Sequence, residues 1–326
     1  MARAERIQTV KKMSATLLAA TISAGLAALP AASHAATAKA VTVADSKVFT
    51  ESISADAAGN LYAGSTKGIV YRALRGSTTA TPWIKPDATN QIKQLLGVVA
   101  HDKSNTLWVC SIPGFGGPGS VGDSAAVAFN LKTGAFKARY VLAGPNATCN
   151  DITVGPSGKV WIAETSGGRI FSITPGASEA KVEVKDAALN GVDGIAFTAD
   201  GKLYANNTRA NTLLRVNVDA SDNYQSLTQL KVSMEMKGPD GLRLYKGNQL
   251  LQAETGNNRI ALLTINGDHV DLKPLGGDFQ GPAAVASIGD TAYSVSGMIN
   301  YMFDPALKDK DPGPFILKPV PIRGAK

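Results

Sequence analysis

The chain has 326 residues, 44% of them hydrophobic and 18% charged, with a formal net charge of +7. Two cysteines, with no CxxC motif and no Cys/His cluster, exclude a structural zinc site. No run of five like charges occurs, which argues against a nucleic-acid partner, and no stretch after the first 35 residues approaches the roughly 20 apolar residues a bilayer span needs.

Arg3, Arg6, Lys11 and Lys12 form a positive n-region, and the Ala/Leu/Ile/Gly stretch at 17–29 follows it. Ser33-His34-Ala35 then offers small residues where a signal peptidase reads. Residues 1–35 are therefore expected to be a signal peptide, and 36–326 a single domain that is periplasmic or secreted. Four basic residues and one acid, Glu5, leave with the leader, which lowers the net charge to about +4. In an oxidising compartment Cys110 and Cys149 can pair, provided their Cα atoms come within about 7 Å.

One unit is then written six times. In chain order the copies read FTESISADAAGNLYAGS, LGVVAHDKSNTLWVCS, TCNDITVGPSGKVWIAET, GVDGIAFTADGKLYANNT, GPDGLRLYKGNQLLQAET and GPAAVASIGDTAYSVS. Each is an alternating apolar run, a tight turn and a second strand carrying a large residue: Tyr62, Trp108, Trp161, Tyr204, Leu251 and Tyr293. The steps between those residues are 46, 53, 43, 47 and 42. A further strand pair follows most copies, such as RIFSIT or RIALLTI. Four strands per unit of this length predict an all-β, six-bladed β-propeller with four-stranded blades around a central channel.

Eleven residues before each large residue stand Glu51, Gly97, Asn150, Asp193, Asp240 and Pro282. The first strand of each blade lines the channel, so these positions are expected to face one axis. Asp and Asn are also common turn residues, but Glu51 is not. Three converging carboxylates with no counter-charge would raise one another's pKa and cost several kcal/mol. A cation resolves that conflict. Oxygen-only ligands favour Ca²⁺, with Mg²⁺ or Mn²⁺ behind it.

The repeats and these axial residues resemble the senescence-marker-protein/gluconolactonase family of six-bladed calcium-dependent lactonases. More distantly they resemble paraoxonase and diisopropyl fluorophosphatase. The resemblance spans residues 42–322 and is strongest in the third to fifth units. It implies metal ligands at Glu51, Asn150 and Asp240. The family usually reads Asn-Gly in the fourth blade, whereas this chain has Asp193-Gly194, with Asn190-Gly191 three residues earlier. Either Asp193 or Asn190 is the expected fourth ligand, Asp193 keeping the strand register. The resemblance further implies a lactone substrate, with Asp240 as general base and Asp151 as the second candidate.

No histidine occupies a position that such chemistry would use, and no G-x-S-x-G elbow is present. Glu164 and Glu254 hold matching places and read as structural polar residues of the repeat, or as supports for the site. The GFGGPG stretch at 114–119 reads as a cap over the channel mouth or as a spacer. Two other readings stay open: a non-catalytic propeller that binds a small molecule or protein, and another propeller enzyme such as a lyase or quinoprotein. A closed ring requires no partner subunit.

Overall fold

Strict apolar/polar alternation punctuated by Gly, Asn and Asp leaves this chain little choice but short strands. The computed structural model describes residues 38–115 and 122–322. They are almost wholly β, with one four-residue α-helix at Asn300–Phe303 and three short 3₁₀ turns. The expected leader and most of the Gly-rich 114–119 stretch lie outside the described residues.

The first strand of each repeat lies innermost: Thr50–Ala55 (β1), Gln94–His101 (β2), Cys149–Val154 (β3), Val192–Phe197 (β4), Pro239–Lys246 (β5) and Pro282–Ile288 (β6). Each packs against the next, and β6 returns to β1. From every inner strand three further antiparallel strands run outward, as in Val160–Glu164, Arg169–Ile173 and Lys181–Lys185 beyond β3. The unit that begins with β6 is completed from the opposite end of the described chain. There Val41–Val43 pairs with Ile316–Pro321, Val41 lying opposite Leu317. Backbone hydrogen bonds thus tie the two ends together and leave fewer open edges.

The large repeat residues explain the packing. Among the described residues, buried side chains fall into six clusters, each shared by two neighbouring units. Tyr62, Trp108, Trp161, Tyr204, Leu251 and Tyr293 fall one to a cluster. Burying such a side chain contributes roughly 1.5–3 kcal/mol, so the aligned position is where the units are held together.

Cys110 and Cys149 are disulfide-bonded, with Cα atoms 5.1 Å apart. The bridge joins the strand Thr106–Ile112 to β3 immediately before Asn150. Replacing both cysteines by Ala is expected to lower the unfolding free energy by roughly 2–4 kcal/mol. A urea titration checks this, and an unchanged midpoint would show that the bridge contributes nothing.

Connections between the second and third strands of the units differ in one functional respect. Four are tight, at 66–69, 165–168, 208–211 and 255–258. Two are long, at 113–124 and 297–315. Phe115 of the first long connection meets Phe303 of the second edge to face, ring centroids 5.7 Å apart.

Candidate functional site

The inner strands share an irregularity that turns side chains toward the axis. Ladder pairing skips Glu51 in β1, 96–97 in β2, Asn150 in β3, 193–194 in β4, 240–241 in β5 and Ala283 in β6. A bulge leaves its residue unpaired and re-aims its side chain. In the sixth unit the axial residue is therefore Ala283, because Pro282 remains paired with Ser296. The close approach of neighbouring inner strands is built into the sequence as well. A Cβ on Gly194 would lie 2.4 Å from the Asp240 carbonyl oxygen.

Glu51, Asn150, Asp193 and Asp240 converge on one small cavity of about 10 Å³, whose wall also includes Gly97, Ala283 and the Asp151 and Arg243 pair. That is room for one water-sized species. Asn150 Nδ2 donates to Asp193 Oδ2 at 3.0 Å and to Thr165 Oγ1 at 2.8 Å. Thr165 in turn donates to the Val192 carbonyl. Thr255 Oγ1 donates to Asp240 Oδ2 at 2.9 Å. A Cβ on Gly297 would stand 2.7 Å from Glu51 Oε2, so glycine there leaves the carboxylate its space.

The electrostatics of this cluster are unbalanced. Among the described residues none of the three acids forms an ion pair. Burial pushes the Glu51 carboxyl from its ordinary 4.5 up to about 8, and the charge of Asp193 adds to the rise. Burial also lifts Asp193 well above the usual carboxylate range, assisted by the charges of Asp240 and Asp151. Asp240 is raised by burial and then by Glu51, while the Thr255 hydroxyl pulls it back. The contact between the two acids raises Asp193 further and lowers Asp240.

These raised values give a signed expectation for metal-free protein. The folded chain holds the Glu51 proton that the unfolded chain gives up once pH passes about 4.5. Its stabilising effect is complete below that pH and is lost as pH climbs to about 8, and the raised Asp193 and Asp240 act in the same direction. Thermal unfolding in a chelator is thus expected to show falling stability from pH 5 to pH 9. A flat or rising profile would remove the cluster from the account.

Among the described residues no three His, Cys, Asp or Glu side chains stand in a metal-ligand arrangement. The donor chemistry nevertheless suits a hard cation. All donors are oxygens, the fourth coming from the Asn150 amide, and Glu51 Oε2 is buried without a hydrogen-bond partner. An orphaned buried carboxylate oxygen of this kind is costly unless something charged or protic meets it.

Asn190 lies away from the cluster and Asp151 lies beside it. Asn190 is exposed at the end of a 3₁₀ turn, and its Oδ1 accepts from Arg209 Nη1 at 2.8 Å. It stands outside the cluster, whereas Asp193, 8% exposed, stands in it. Asp151, 3% exposed, is held by Arg243 through two bonds, Nη1 to Oδ2 at 2.6 Å and Nη2 to Oδ1 at 2.9 Å. It also accepts the Ile195 N–H at 3.1 Å. Both oxygens are engaged, and the pair stands in the wall of the small cavity beside Asn150.

Glu164 and Glu254 carry out one repeated structural task. Each is fully buried and ion-paired to the arginine five residues on, Arg169 and Arg259 respectively. Each also accepts backbone N–H groups of its adjoining segments, such as Thr148 and Lys237. His101, half-buried beside Ser104, lines a separate depression at the other end of β2, and His269 sits on an outermost strand.

Three contributors were not singled out from the sequence. Arg243 pairs with Leu251, and its counterparts in the other repeats are Ser54, Val99, Thr153, Ala196 and Ala286. A lone charge in that series was the available signal. Thr165 and Thr255 stand fifteen residues after Asn150 and Asp240, and Thr66 and Thr208 repeat the spacing.

Beside the cluster opens a larger pocket of about 590 Å³, with Glu51 and Asp240 among its lining residues. A buried acid cluster next to a pocket of ligand size is the arrangement of a binding or catalytic centre.

A profile of the SMP-30/gluconolactonase/LRE-like region matches residues 35–289. No curated protein matches the chain. Among solved structures, the calcium-binding protein regucalcin from Agrobacterium tumefaciens is similar at 20% identity and TM-score 0.59, over 88% of this chain and 97% of the other. Virginiamycin B lyase from Staphylococcus aureus is similar at 17% identity and TM-score 0.56, over 78% and 80%. The PQQ-bound aldose sugar dehydrogenase from Streptomyces coelicolor is similar at 13% identity and TM-score 0.57, over 87% and 98%. Likeness at these identities shows the fold alone.

Proposed function

The chain belongs to the SMP-30/gluconolactonase/LRE-like family, and from that premise we propose that it is an exported, calcium-dependent hydrolase of lactones or related esters. Its scaffold is a six-bladed β-propeller over 36–326. The observation that carries this reading is the convergence of Glu51, Asn150, Asp193 and Asp240 on one water-sized cavity beside a ligand-sized pocket. Ca²⁺ is the cation that these hard, oxygen-only donors favour, ahead of Mg²⁺ or Mn²⁺.

Bound there, a divalent cation would polarise the substrate carbonyl and steady the oxyanion that water attack creates. The chain's own residues supply the rest. Glu51, Asn150, Asp193 and Asp240 hold the cation's place. Glu51 and Asp240 both line the small cavity and the larger pocket; of the two, Asp240, steadied by the Thr255 hydroxyl, is the one we assign to take a proton from the attacking water. Thr255 orients it through the bond to Oδ2. In the metal-free chain burial and the charges of Asp240 and Asp151 favour the neutral form of Asp193, which carries one donor and one acceptor as an amide does. This accounts for Asp where the family has Asn.

Export is supported by the leader pattern at 1–35 and by the Cys110–Cys149 bridge, which suits an oxidising compartment. Among the described residues no helix is long and apolar enough to cross a membrane. The partner implied is a small molecule rather than a nucleic acid.

Purified protein assayed on a panel of sugar, alkyl and aryl lactones is expected to show turnover that chelation abolishes and Ca²⁺ restores. Turnover that survives complete chelation would remove the metal from the reaction. No turnover by folded, Ca²⁺-saturated protein would leave a binding protein in place of an enzyme.

A further inference from the structure

We infer that the pocket beside the acid cluster selects uncharged lactones or esters bearing an apolar substituent and turns away anionic ones, an inference that rests on the hydrolase reading. Its floor carries two acids, Glu51 and Asp240. Among the described residues its lining holds no Lys, Arg or His. An anionic substituent lying along the wall away from the cation's place would lose water and gain no counter-charge from the described side chains, a penalty that a neutral group escapes.

The walls differ in kind. One side carries the amides Asn258 and Gln280. Asn258 Oδ1 already accepts the Gly281 N–H at 2.8 Å, which leaves its NH₂ as a donor for a ring oxygen or hydroxyl. Met298, Ile299 and Tyr301 from the long connection at 297–315 line the pocket as well, with Asn300 between them. The tight connections of the first, third, fourth and fifth units have no such segment.

This apolar wall is preformed. Met298 and Tyr301 pack against the cluster shared by the last and first units. The Tyr301 and Met302 N–H groups donate to the Met298 and Ile299 carbonyls at 3.0 and 2.8 Å. Met298 is held at φ +52°, a conformation that costs a non-glycine residue on the order of 1–3 kcal/mol and persists only where its surroundings fix it. Ile299 is the exception: it lies on the pocket wall yet outside that packed cluster. An apolar side chain presented to a pocket and not spent on the core is available to a ligand. The cavity of about 590 Å³ also exceeds the needs of a single small ring, leaving space for a substituent along this wall.

Titration calorimetry on the Ca²⁺-loaded protein tests the inference with δ-lactams, which keep the ring and carbonyl but resist hydrolysis. Three are compared: unsubstituted, phenyl-substituted and carboxyphenyl-substituted. The phenyl lactam is expected to bind at least about tenfold tighter than either of the others. Ile299→Asn is expected to erase its advantage over the unsubstituted ring, with Ile299→Ala read in its place should the first variant melt early.

Equal or tighter binding of the carboxyphenyl lactam overturns the inference. So does a phenyl advantage that both variants leave intact, or an absence of binding by all three. Turnover of the matching lactones separates this from the hydrolase reading. Preserved binding preference without any turnover sinks only the enzyme, and turnover that favours the carboxylated lactone sinks only the pocket inference.

Discussion

Glu51→Gln is expected to abolish Ca²⁺-dependent hydrolysis and yet to make the metal-free protein more stable at pH 8 and above. Both effects have one cause. Glu51 is forced up to about 8 by burial beside Asp193, so above that pH the folded chain must carry an unpaired buried charge. Gln keeps the shape and removes the charge. Below pH 5, where Glu51 is protonated, the two proteins are expected to melt alike. Asp240→Asn removes a donor and the proposed base together, and a positioned general base is worth about 10²–10⁴ in rate. Loss of kcat/KM in that range, with Ca²⁺ affinity reduced by calorimetry, is the expected pair of readings. Stability gained where function is lost marks a site held under strain for its chemistry. A Glu51→Gln protein that binds Ca²⁺ normally, or that melts lower at pH 9, would contradict the account.

The repeat made most of this site legible. A constant offset of eleven residues placed Glu51, Asn150, Asp193 and Asp240 at one level, and the structure brings those four to one cavity. The offset worked because those four units repeat one strand–turn–strand length, the large residue pairing with a residue eight positions before it. It slipped by one in the sixth unit because the hairpin there is one residue shorter, Tyr293 pairing with Ala286, and Ala283 faces the axis instead of Pro282. Asn190 lies away from the cluster for a local reason. Asp186 caps a short turn by accepting the Ala188 N–H, and the chain then leaves Asn190 at the surface with Arg209. Asp151 is engaged by a distant partner, since Arg243 lies 92 residues away. The pocket wall was not legible at all. The connection at 297–315 lies outside the repeat, and its place over the site follows from tertiary packing on the last and first units.

Arg243→Met is expected to be the most damaging single change near the axis, costing roughly 3–5 kcal/mol of stability. Met fills similar volume but strands Asp151, whose side chain is 4% exposed. The guanidinium does more than pair with one acid. From β5 it bonds Asp151 in β3, the Val98 carbonyl in β2 and Ser52 Oγ in β1, the last two at 3.2 and 3.4 Å. It thereby ties four of the inner strands together next to the ligand cluster. Replacing both partners with apolar residues, Asp151→Leu with Arg243→Met, is expected to recover much of the loss, because no uncompensated charge remains. Urea unfolding of the two single variants and the double variant gives the coupling directly. If the role is also one of positioning, the double variant regains stability but not Ca²⁺ affinity, since Asn150 adjoins Asp151 and Asp240 lies three residues before Arg243. Full recovery of both would make the pair a stabilising device alone, and a single-variant cost below about 1 kcal/mol would place the charge balance of the axis elsewhere.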